Sequence, residues 1–383
     1  CNWKQRLRHV YKHDSFSTTT STLPPQKKSR GKPHPRNSFQ GSYDMDRLIS
    51  AYPSLGPHVI RARLGAECRP TINFSDSMAV KALNTALLVA DYNIHPTYGD
   101  IMPCTALVPP VPGRADYVHY MADVLQQSSA GNVAPRGEKI VGLDIGTGAS
   151  CIYPLIATSV YGWNMIASEI NTASIESARE IVKVNALTEK IDVRSNSHSG
   201  ESSIFDGILQ PGEKIDFCIC NPPFYSSKEA FQAENARKVR GLAKGGLNKI
   251  RPIEEVTKTA KQQQHEQIMK KENSRTTSNN FGGTDSELWC QGGEVAFVSK
   301  IISESKQYAH QCLWFSSLIS RHANLKKMEK LLLDMKKGRK EKQRVLRAIK
   351  RIRMGAGHKS STILLWSFWN KSERMEWSRI RGW

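Results

Sequence analysis

The chain has 383 residues, 39% of them hydrophobic, which is enough for one large domain or two smaller ones with a buried core. Lys and Arg number 55 against 35 Asp and Glu, so the net charge is +20 and the pI is about 9.6. This imbalance favours a polyanionic partner, and nucleic acid fits it better than an anionic membrane surface. No apolar run reaches the ~18 residues of a transmembrane helix, so we expect no membrane partner.

The eight cysteines are scattered, and no two of them form a C-x-x-C pair. Closely spaced pairs are the usual signature of zinc and redox sites. We therefore expect buried free thiols in a reducing compartment and no metal site.

The first part of the chain predicts an arm and a helical module. Residues 1–33 are polar, basic and rich in Ser and Thr, which predicts a disordered arm. Residues 34–133 follow, with helical spacing of apolar residues over Ser75–Asp91 and Ser75 or Asp76 as the N-cap. A further helix is predicted over Tyr117–Gln126, and a polar linker then leads into a larger domain.

Apolar runs and helical patterns alternate in the next part of the chain. The predicted elements are strand Ile140–Asp144, helix Ser150–Val160, strand Asn164–Glu169, helix Thr172–Asn185 and strand Ile191–Arg194. This alternation predicts an α/β fold with a parallel, doubly wound sheet.

The first of these strands leads into a glycine-containing loop that opens a helix. Gly146 and Gly148 would let the backbone approach a ligand, and the helix N-terminus offers free N–H groups. Glu169 ends the second strand, where an acidic residue commonly binds the ribose hydroxyls of an adenosine cofactor. The alternative for Glu169 is an N-terminal charge of the next helix.

A second motif lies in Ile215–Tyr225, which reads IDFCICNPPFY. Its first half is apolar and β-prone, which predicts a buried strand of a parallel sheet. Proline cannot donate to a sheet ladder, so the strand is predicted to end in a rigid, extended turn. Ligands of open α/β sheets bind at that carboxyl edge.

The residue types in this turn suit the methylation of a planar exocyclic amine, whose lone pair is delocalised into the ring. The Asn221 amide oxygen and the Pro222 carbonyl would accept the two N–H hydrogens and favour a pyramidal, nucleophilic nitrogen. Pro222 and Pro223 would hold both acceptors, and Phe224 would stack on a flipped base. The alternative is a strand that ends in an ordinary Asn-Pro turn.

The combined motifs resemble those of class I S-adenosylmethionine methyltransferases that act on amino nitrogens. DIGTGASCIYPLI (Asp144–Ile156) and DFCICNPPF (Asp216–Phe224) are similar to the U6 small nuclear RNA adenine-N6 methyltransferases. Those enzymes are eukaryotic relatives of the bacterial large-subunit ribosomal RNA adenine-N6 methyltransferase. Further matching segments are Ile72–Leu88, Val111–Leu125, Gln291–Ile302 and Leu364–Trp369, so the resemblance spans Pro35–Trp369.

The resemblance implies a Rossmann-like, seven-stranded sheet over residues 134–369, closed by Thr362–Trp369 as an antiparallel edge strand, and a helical RNA-binding module before it. It implies S-adenosyl-L-methionine as cofactor, a structured RNA, U6 small nuclear RNA, as substrate, and a location in the nucleus or also the cytoplasm. The implied catalytic residues are Asn221, Pro222, Pro223 and Phe224. The implied cofactor-binding residues are Arg114, Asp144, Gly146, Thr147, Gly148, Ser150, Glu169, Ser202 and Asn221. The RNA-binding candidates in the N-terminal module are Arg36, Arg61 and Arg63. Further candidates come from the density of positive charge and not from the resemblance, and a solvated basic face is the alternative for them: Lys336, Lys337, Arg339, Lys340 and Lys359.

Two segments depart from the resembled pattern, and a third lies after the part of the chain that the resemblance covers. Residues 226–280 form a basic, polar insertion, predicted to be a flexible loop that is either an idle insertion or a clamp that orders on RNA. Residues 357–362 replace arginines expected there with His358 and Ser361, and the basic run Lys326–Arg353 is a candidate to compensate. Residues 370–383 are predicted to be a polar tail.

Three other functions stay open at this point. Ribosomal RNA or DNA adenine-N6 methyltransferases and protein glutamine-N5 methyltransferases also use Asn-Pro-Pro followed by an aromatic residue. The net charge of +20 argues against a protein substrate. A non-catalytic RNA-binding relative is the third alternative, and the altered segment at 357–362 is what suggests it.

Overall fold

The computed structural model describes residues 32–64, 67–103, 106–129, 131–195, 203–227, 229, 232, 289–337, 345–356 and 359–383. Outside these ranges lie residues 1–31 of the predicted arm, nearly all of the predicted insertion, and Ser202, Arg339 and Lys340. None of the helices within the ranges is long and apolar enough to cross a membrane.

The part of the chain before the sheet contains helices and one β-hairpin. Its elements are α1 (Met45–Ala51), a 3₁₀ helix (Pro53–His58), β1 (Val59–Leu64), β2 (Glu67–Ile72), α2 (Ser77–Tyr92), α3 (Tyr98–Ile101) and α4 (Val111–Gln126). The predicted cap of α2 is confirmed, because the Asp76 side chain accepts a hydrogen bond from the Met78 N–H at 2.9 Å. The predicted helical module also contains a β-hairpin that was not predicted, since β1 and β2 pair antiparallel.

Helix α4 begins six residues before its predicted start at Tyr117, which sets where Arg114 lies. Pro112 is in its first turn, where the missing N–H removes no intrahelical bond. The Val111 N–H donates instead to Oδ1 of Asn84 on α2 at 2.9 Å. Arg114 is therefore on the first turn of a helix that other elements hold in place.

Seven strands form one mixed sheet. They are β3 (Val141–Ile145), β4 (Asn164–Glu169), β5 (Ile191–Ser195), β6 (Ile215–Cys220), β7 (Cys312–Ile319), β8 (Ala348–Ala356) and β9 (Lys359–Ser367). The connecting helices are α5 (Ile152–Tyr161), α6 (Thr172–Val184), α7 (Gly293–Ser305) and α8 (His322–Lys337). The order is β5-β4-β3-β6-β7-β9-β8, with β3 to β7 parallel and β9 antiparallel to both of its neighbours. The predicted seven-stranded, doubly wound sheet is confirmed.

The strand order reverses between β3 and β6, which creates a crevice at their carboxyl ends. The register brings three strand ends to the same level. Ile145 of β3 is paired with Ser168 of β4 on one side and with Cys220 of β6 on the other. The residues that follow, Gly146, Glu169 and Asn221, therefore emerge side by side at one edge of the sheet.

The closing edge of the sheet differs from the prediction. The strand predicted over Thr362–Trp369 is β9, but it lies between β7 and β8 and is not the edge. The edge at this side of the sheet is β8, whose first six residues belong to the basic run. Lys350, Arg351 and Arg353 of this strand lie among Ile349, Ile352 and Met354, and charged side chains are well tolerated on an edge strand.

The segment 370–383 is not simply a polar tail, because it folds into helix α9 (Lys371–Arg381). Asn370 and Glu373 form a reciprocal capping box at its start. Trp377 of α9 is buried, and its indole Nε1–H donates to Asp216 Oδ1 at 2.7 Å. This helix therefore covers the amino end of β6.

The Asp216 carboxylate is fully buried but is surrounded by donors. The Trp383 indole donates to Oδ1 at 3.0 Å, the Val141 N–H donates to Oδ2 at 2.8 Å, and Arg381 Nη2 donates to Oδ2 at 3.1 Å. Burial raises the pKa of Asp216, while Arg381 and these hydrogen bonds oppose the rise. A buried carboxylate with this many partners fixes α9 to the sheet.

We expect Asp216→Ala to lower the free energy of unfolding by about 3–5 kcal/mol, because breaking a buried pair leaves its partners unsatisfied. The matched control is Asp192→Ala on β5, where a carboxylate that is 60% exposed pairs with Arg194. Exposed pairs contribute about 0.2–1 kcal/mol. Urea unfolding measures both variants, and equal losses would show that α9 is not anchored through Asp216.

Candidate active site

A cleft of about 290 Å³ opens at the carboxyl ends of β3, β4 and β6. The predicted site residues that line it are Arg114, Gly146, Thr147, Gly148, Ser150, Glu169, Asn221 and Pro223. Lining residues that the sequence did not predict include Tyr153, Ser203, Cys290, Phe297 and Lys300. Of the other predictions, Asp144 and Pro222 are buried, Phe224 is half-buried, and Ser202 lies outside the described residues, although Ser203 lines the cleft.

The glycine loop after β3 bends towards β4. Gly146 and Gly148 have φ angles of +72° and +63°, which other residues rarely adopt. The Gly146 and Thr147 N–H groups donate to the Ser168 carbonyl at 3.0 and 2.9 Å. A Cβ atom on Gly146 would meet nothing within 4 Å among the described residues. The loop is therefore fixed by β4 and leaves open space for a ligand.

The Glu169 carboxylate organises this end of the cleft. Its Oε2 atom accepts a hydrogen bond from the Gly148 N–H at 2.9 Å, which ties the glycine loop to β4. Its Oε1 atom accepts from the N–H groups of Ile170 and Asn171 at 2.8 and 3.0 Å. Asn171, not Glu169, caps α6, because its side chain accepts from the Ser174 N–H. Glu169 thus presents a held carboxylate to the cleft.

Asp144 on β3 is fully buried beside this loop. Burial raises its pKa from 3.8 to about 7, and the Glu169 carboxylate adds to the rise, whereas Thr147 and Arg114 oppose it. The Thr147 hydroxyl lies near, but no described residue gives either carboxylate oxygen a hydrogen bond of good geometry. A cation or hydrogen-bond donor close to such a group would stabilise its ionised form.

Arg114 brings a positive charge to the cleft. Its guanidinium lies over the Tyr153 ring, 5.6 Å from the ring centre. The first turn of α4 is held from a second direction by Asn37, whose Nδ2 donates to the Pro112 carbonyl at 2.8 Å and to Asp116 Oδ1 at 2.6 Å. A guanidinium held in this way can bind a carboxylate or phosphate with two parallel hydrogen bonds.

Asn221 follows directly after the buried strand β6. Its Oδ1 atom is buried and has no hydrogen-bond partner among the described residues. An unpaired buried acceptor costs about 1–3 kcal/mol, so such atoms are rare in folded proteins unless a ligand or water completes them. Because Asn221 lines the cleft, this acceptor is available to a donor on a bound molecule.

The predicted RNA-binding residues do not all have the same status. Lys336 is exposed near the end of α8, and Arg61 is exposed on β1. The side chains of Lys337, Lys359 and Arg63 lie outside the described part of the structure, as do Arg339 and Lys340 altogether.

The Arg36 side chain forms hydrogen bonds within the protein. Its guanidinium donates to Asp123 Oδ1 at 2.6 Å and to the His119 carbonyl at 2.9 Å, and it lies over the Tyr161 ring. These contacts fasten the segment before α1 to α4. Arg36 is therefore a poor candidate for an RNA contact, because its charge is already paired.

A metal site is absent from the described ranges, where no group of three His, Cys, Asp or Glu side chains is placed to hold an ion. The cysteines whose side chains the structure describes, namely Cys151, Cys218, Cys220, Cys290 and Cys312, are free thiols.

Comparison with known proteins gives this cleft its context. A family model described as RNA methyltransferase matches residues 27–370. Ribosomal RNA large subunit methyltransferase F of Pseudomonas entomophila is 39% identical over 348 residues, which cover 91% of this chain and 96% of that enzyme. The Vibrio campbellii enzyme of the same name is 41% identical over 349 residues, with 91% and 83% covered.

Solved structures show the same fold. The hMettl16 catalytic domain in complex with MAT2A 3′UTR hairpin 1 is 26% identical with a TM-score of 0.63, and the match covers 88% of this chain and 96% of that one. The complex of the same domain with hairpin 6 has a TM-score of 0.61 at 26% identity, with 88% and 98% covered. The predicted class I methyltransferase fold is thereby confirmed, and the protein is a methyltransferase that belongs to the RNA methyltransferase family.

Proposed function

We propose that the protein transfers a methyl group from S-adenosylmethionine to N6 of an adenine in a structured RNA. The observation that carries this proposal is the buried, unpaired Oδ1 of Asn221 at the carboxyl end of β6. An acceptor in this position suits an amine that donates N–H hydrogens. The N6 group of adenine is an exocyclic amine of this kind. The glycine loop and Glu169 beside it suit a nucleoside cofactor.

The residues on the cofactor side fit S-adenosylmethionine. The open space at Gly146 would take the adenosine, the Glu169 carboxylate would accept from the ribose hydroxyls, and Arg114 would bind the carboxylate of the amino-acid part. Asp144 would favour the nearby positive charge of the cofactor. When bound, S-adenosylmethionine would supply a methyl group on a positively charged sulfur: the S–C bond breaks as the N–C bond forms, S-adenosylhomocysteine leaves as a neutral thioether, and the methylated amine gives up one N–H proton to solvent.

The residues on the substrate side would prepare the amine. Asn221 Oδ1 and the Pro222 carbonyl would each accept one N–H, which draws the nitrogen out of conjugation with the ring. Pro222 is buried and Pro223 lines the cleft, so both acceptors would be held without loss of further conformational freedom. Phe224 would stack on the flipped base, which requires an aromatic face next to the acceptors.

The RNA itself is proposed from the relatives and from charge. The relatives that share 38–41% of their residues with this chain are named as large-subunit ribosomal RNA methyltransferases, which supports ribosomal RNA as the substrate. The similarity of the motifs to U6 small nuclear RNA methyltransferases makes U6 RNA the second candidate, and with it a nuclear location. The net charge of +20 suits either RNA.

The deciding experiment offers the enzyme and labelled S-adenosylmethionine four acceptors: large-subunit ribosomal RNA, U6 RNA, duplex DNA and a glutamine-containing peptide. Mass spectrometry of the digested RNA then identifies the methylated nucleoside. We expect N6-methyladenosine in RNA and no label in the peptide. Label in the peptide or DNA alone, or a methyl group on another atom of RNA, would contradict the proposal, and absence of both transfer and cofactor binding would favour a non-catalytic RNA-binding protein.

Asn221→Ala should lower kcat by about 10²–10³-fold, which is the usual effect of losing one preorganised hydrogen-bonding group. The dissociation constant for S-adenosylmethionine should change little, because the amide acts on the target amine. Single-turnover kinetics and calorimetry measure the two quantities. A rate near that of the wild type would remove Asn221 from the mechanism.

Glu169→Ala should weaken S-adenosylmethionine binding, because hydrogen bonds to a charged acceptor contribute about 1.5–3 kcal/mol each. The substitution also removes the acceptor for three backbone N–H groups, so Glu169→Gln, which keeps one carbonyl oxygen, is the matched control. Because the Gln amide nitrogen would face one of these N–H donors, thermal unfolding is measured for both variants. We expect the Gln variant to lose less affinity than the Ala variant. If neither variant changes the affinity, Glu169 serves only the backbone.

Neutralising Lys336, Lys337, Arg339 and Lys340 should weaken RNA binding. Each lost phosphate contact reduces the slope of log affinity against log salt by about 0.7–0.9. The control replaces four exposed cations outside the basic run, Lys183, Lys190, Lys371 and Arg379, and so makes the same change in net charge. RNA titrations at several salt concentrations compare the two, and identical slopes would identify the run as an ordinary solvated surface.

A further inference from the structure

The chain that follows the Asn-Pro-Pro-Phe turn is held by a segment from far along the sequence. Tyr225 forms a parallel β-bridge with Trp289, and the Cys290 N–H donates to the Tyr225 carbonyl at 3.2 Å. The Gly293 N–H in turn donates to the Cys290 carbonyl at 2.9 Å. The exit of the proposed catalytic turn is thus bound to the start of α7.

Gly293 makes the closest approach to this exit. A Cβ atom on it would lie 3.0 Å from the Ser226 nitrogen and 3.1 Å from both Ser226 Cα and the Tyr225 carbonyl carbon. All three are backbone atoms, so no side-chain rotation would relieve the contact. Its φ angle of +61° is also one that favours glycine. A side chain at this position would therefore require the backbone of residues 225–226 to shift by a few tenths of an ångström.

The next residue fixes α7 from the other side. Glu294 is buried, with 2% of its surface exposed. Its Oε2 atom accepts from the backbone N–H of Ser320 at 2.8 Å and from the Ser320 hydroxyl, and Oε1 accepts from Asn324 Nδ2 at 2.8 Å. Ser320 follows β7, the strand next to β6, so Glu294 attaches the start of α7 to the sheet itself.

We infer that Gly293 and Glu294 are positioning residues that set where Asn221 and Phe224 lie in the cleft. Glu294 holds α7 to the loop after β7, and Gly293 presses the start of α7 against the backbone one residue beyond Phe224. The turn is then confined between β6 at one end and α7 at the other. This inference rests on the proposed role of Asn221 and Phe224, because misplacing a catalytic group by about 1 Å can cost 10²-fold in rate.

The test is Gly293→Ala, compared with Gly292→Ala combined with Ala296→Gly. Gly292 has an equally strained φ of +77°, but its Cβ would face Ala296 Cβ at 2.6 Å within α7 and not the turn. The second substitution relieves that contact. Both variants therefore carry an alanine at positive φ at the start of the same helix, and only one of them touches the turn.

We expect Gly293→Ala to lower kcat by about 10- to 100-fold, with the S-adenosylmethionine dissociation constant and the KM for RNA near those of the wild type. The control should stay within about threefold in kcat. Glu294→Gln should repeat the pattern of Gly293→Ala, because its amide nitrogen would face a group of Ser320 or Asn324 that now donates a hydrogen bond to the carboxylate. If Gly293→Ala does not fold, the Glu294→Gln and Asn324→Ala variants test the inference in its place. For them too we expect a lower kcat with an unchanged KM for RNA.

Three outcomes separate this inference from the proposed function. A wild-type kcat in Gly293→Ala together with an inactive Asn221→Ala would overturn the positioning role and leave the function intact. An active Asn221→Ala would overturn the catalytic turn itself. Equal losses of kcat and cofactor affinity in Gly293→Ala and its control would show that these residues support the fold in general.

Discussion

The structure depends on how one fully buried strand, β6, satisfies the polar groups at its two ends. At its amino end, the buried Asp216 carboxylate accepts from two indoles, one backbone N–H and one guanidinium. At its carboxyl end, the buried Asn221 Oδ1 accepts from no described residue. Buried polar groups are paired in most proteins because the unpaired state costs free energy. The amino end of β6 therefore holds the fold together through Asp216. The carboxyl end leaves an acceptor, Asn221 Oδ1, that a ligand could use.

The end of the cleft beside the glycine loop also contains both hydrogen-bonded groups and a buried polar group without a hydrogen bond of good geometry from any described residue. Ser168 and Glu169 of β4 take the N–H groups of the glycine loop, so the loop keeps its shape without a ligand. Asp144 is instead a buried carboxyl group whose pKa is raised to about 7 by burial, although Thr147 and Arg114 oppose the rise. A positive charge close to Asp144 would favour the ionised form of this carboxyl group.

The sequence predicted the parts of the fold that depend on local pattern. Strand β4, the glycine loop and the end of β6 at Asn221 were predicted closely, because apolar runs and Gly or Pro residues mark their limits. The hairpin β1–β2 was missed although its residues alternate, and α9 was missed although Asn370 and Glu373 have the spacing of a capping box. The docking of α9 on Asp216 and the contact of Gly293 with residues 225–226 join positions far apart in the chain, so no local pattern indicates them.

The central claim is that Asn221 Oδ1 recognises an N–H on the amine that receives the methyl group. Two bisubstrate analogues test it, each joining an S-adenosylmethionine-like part to a target adenosine. In the first the link is the N6 nitrogen of that adenosine, and in the second an oxygen atom replaces this nitrogen. Only the first keeps an N–H. We predict that calorimetry will show the wild type binding the N6-linked analogue about 10- to 100-fold more tightly, and Asn221→Ala losing that preference. Equal affinity of the wild type for both analogues would contradict the account.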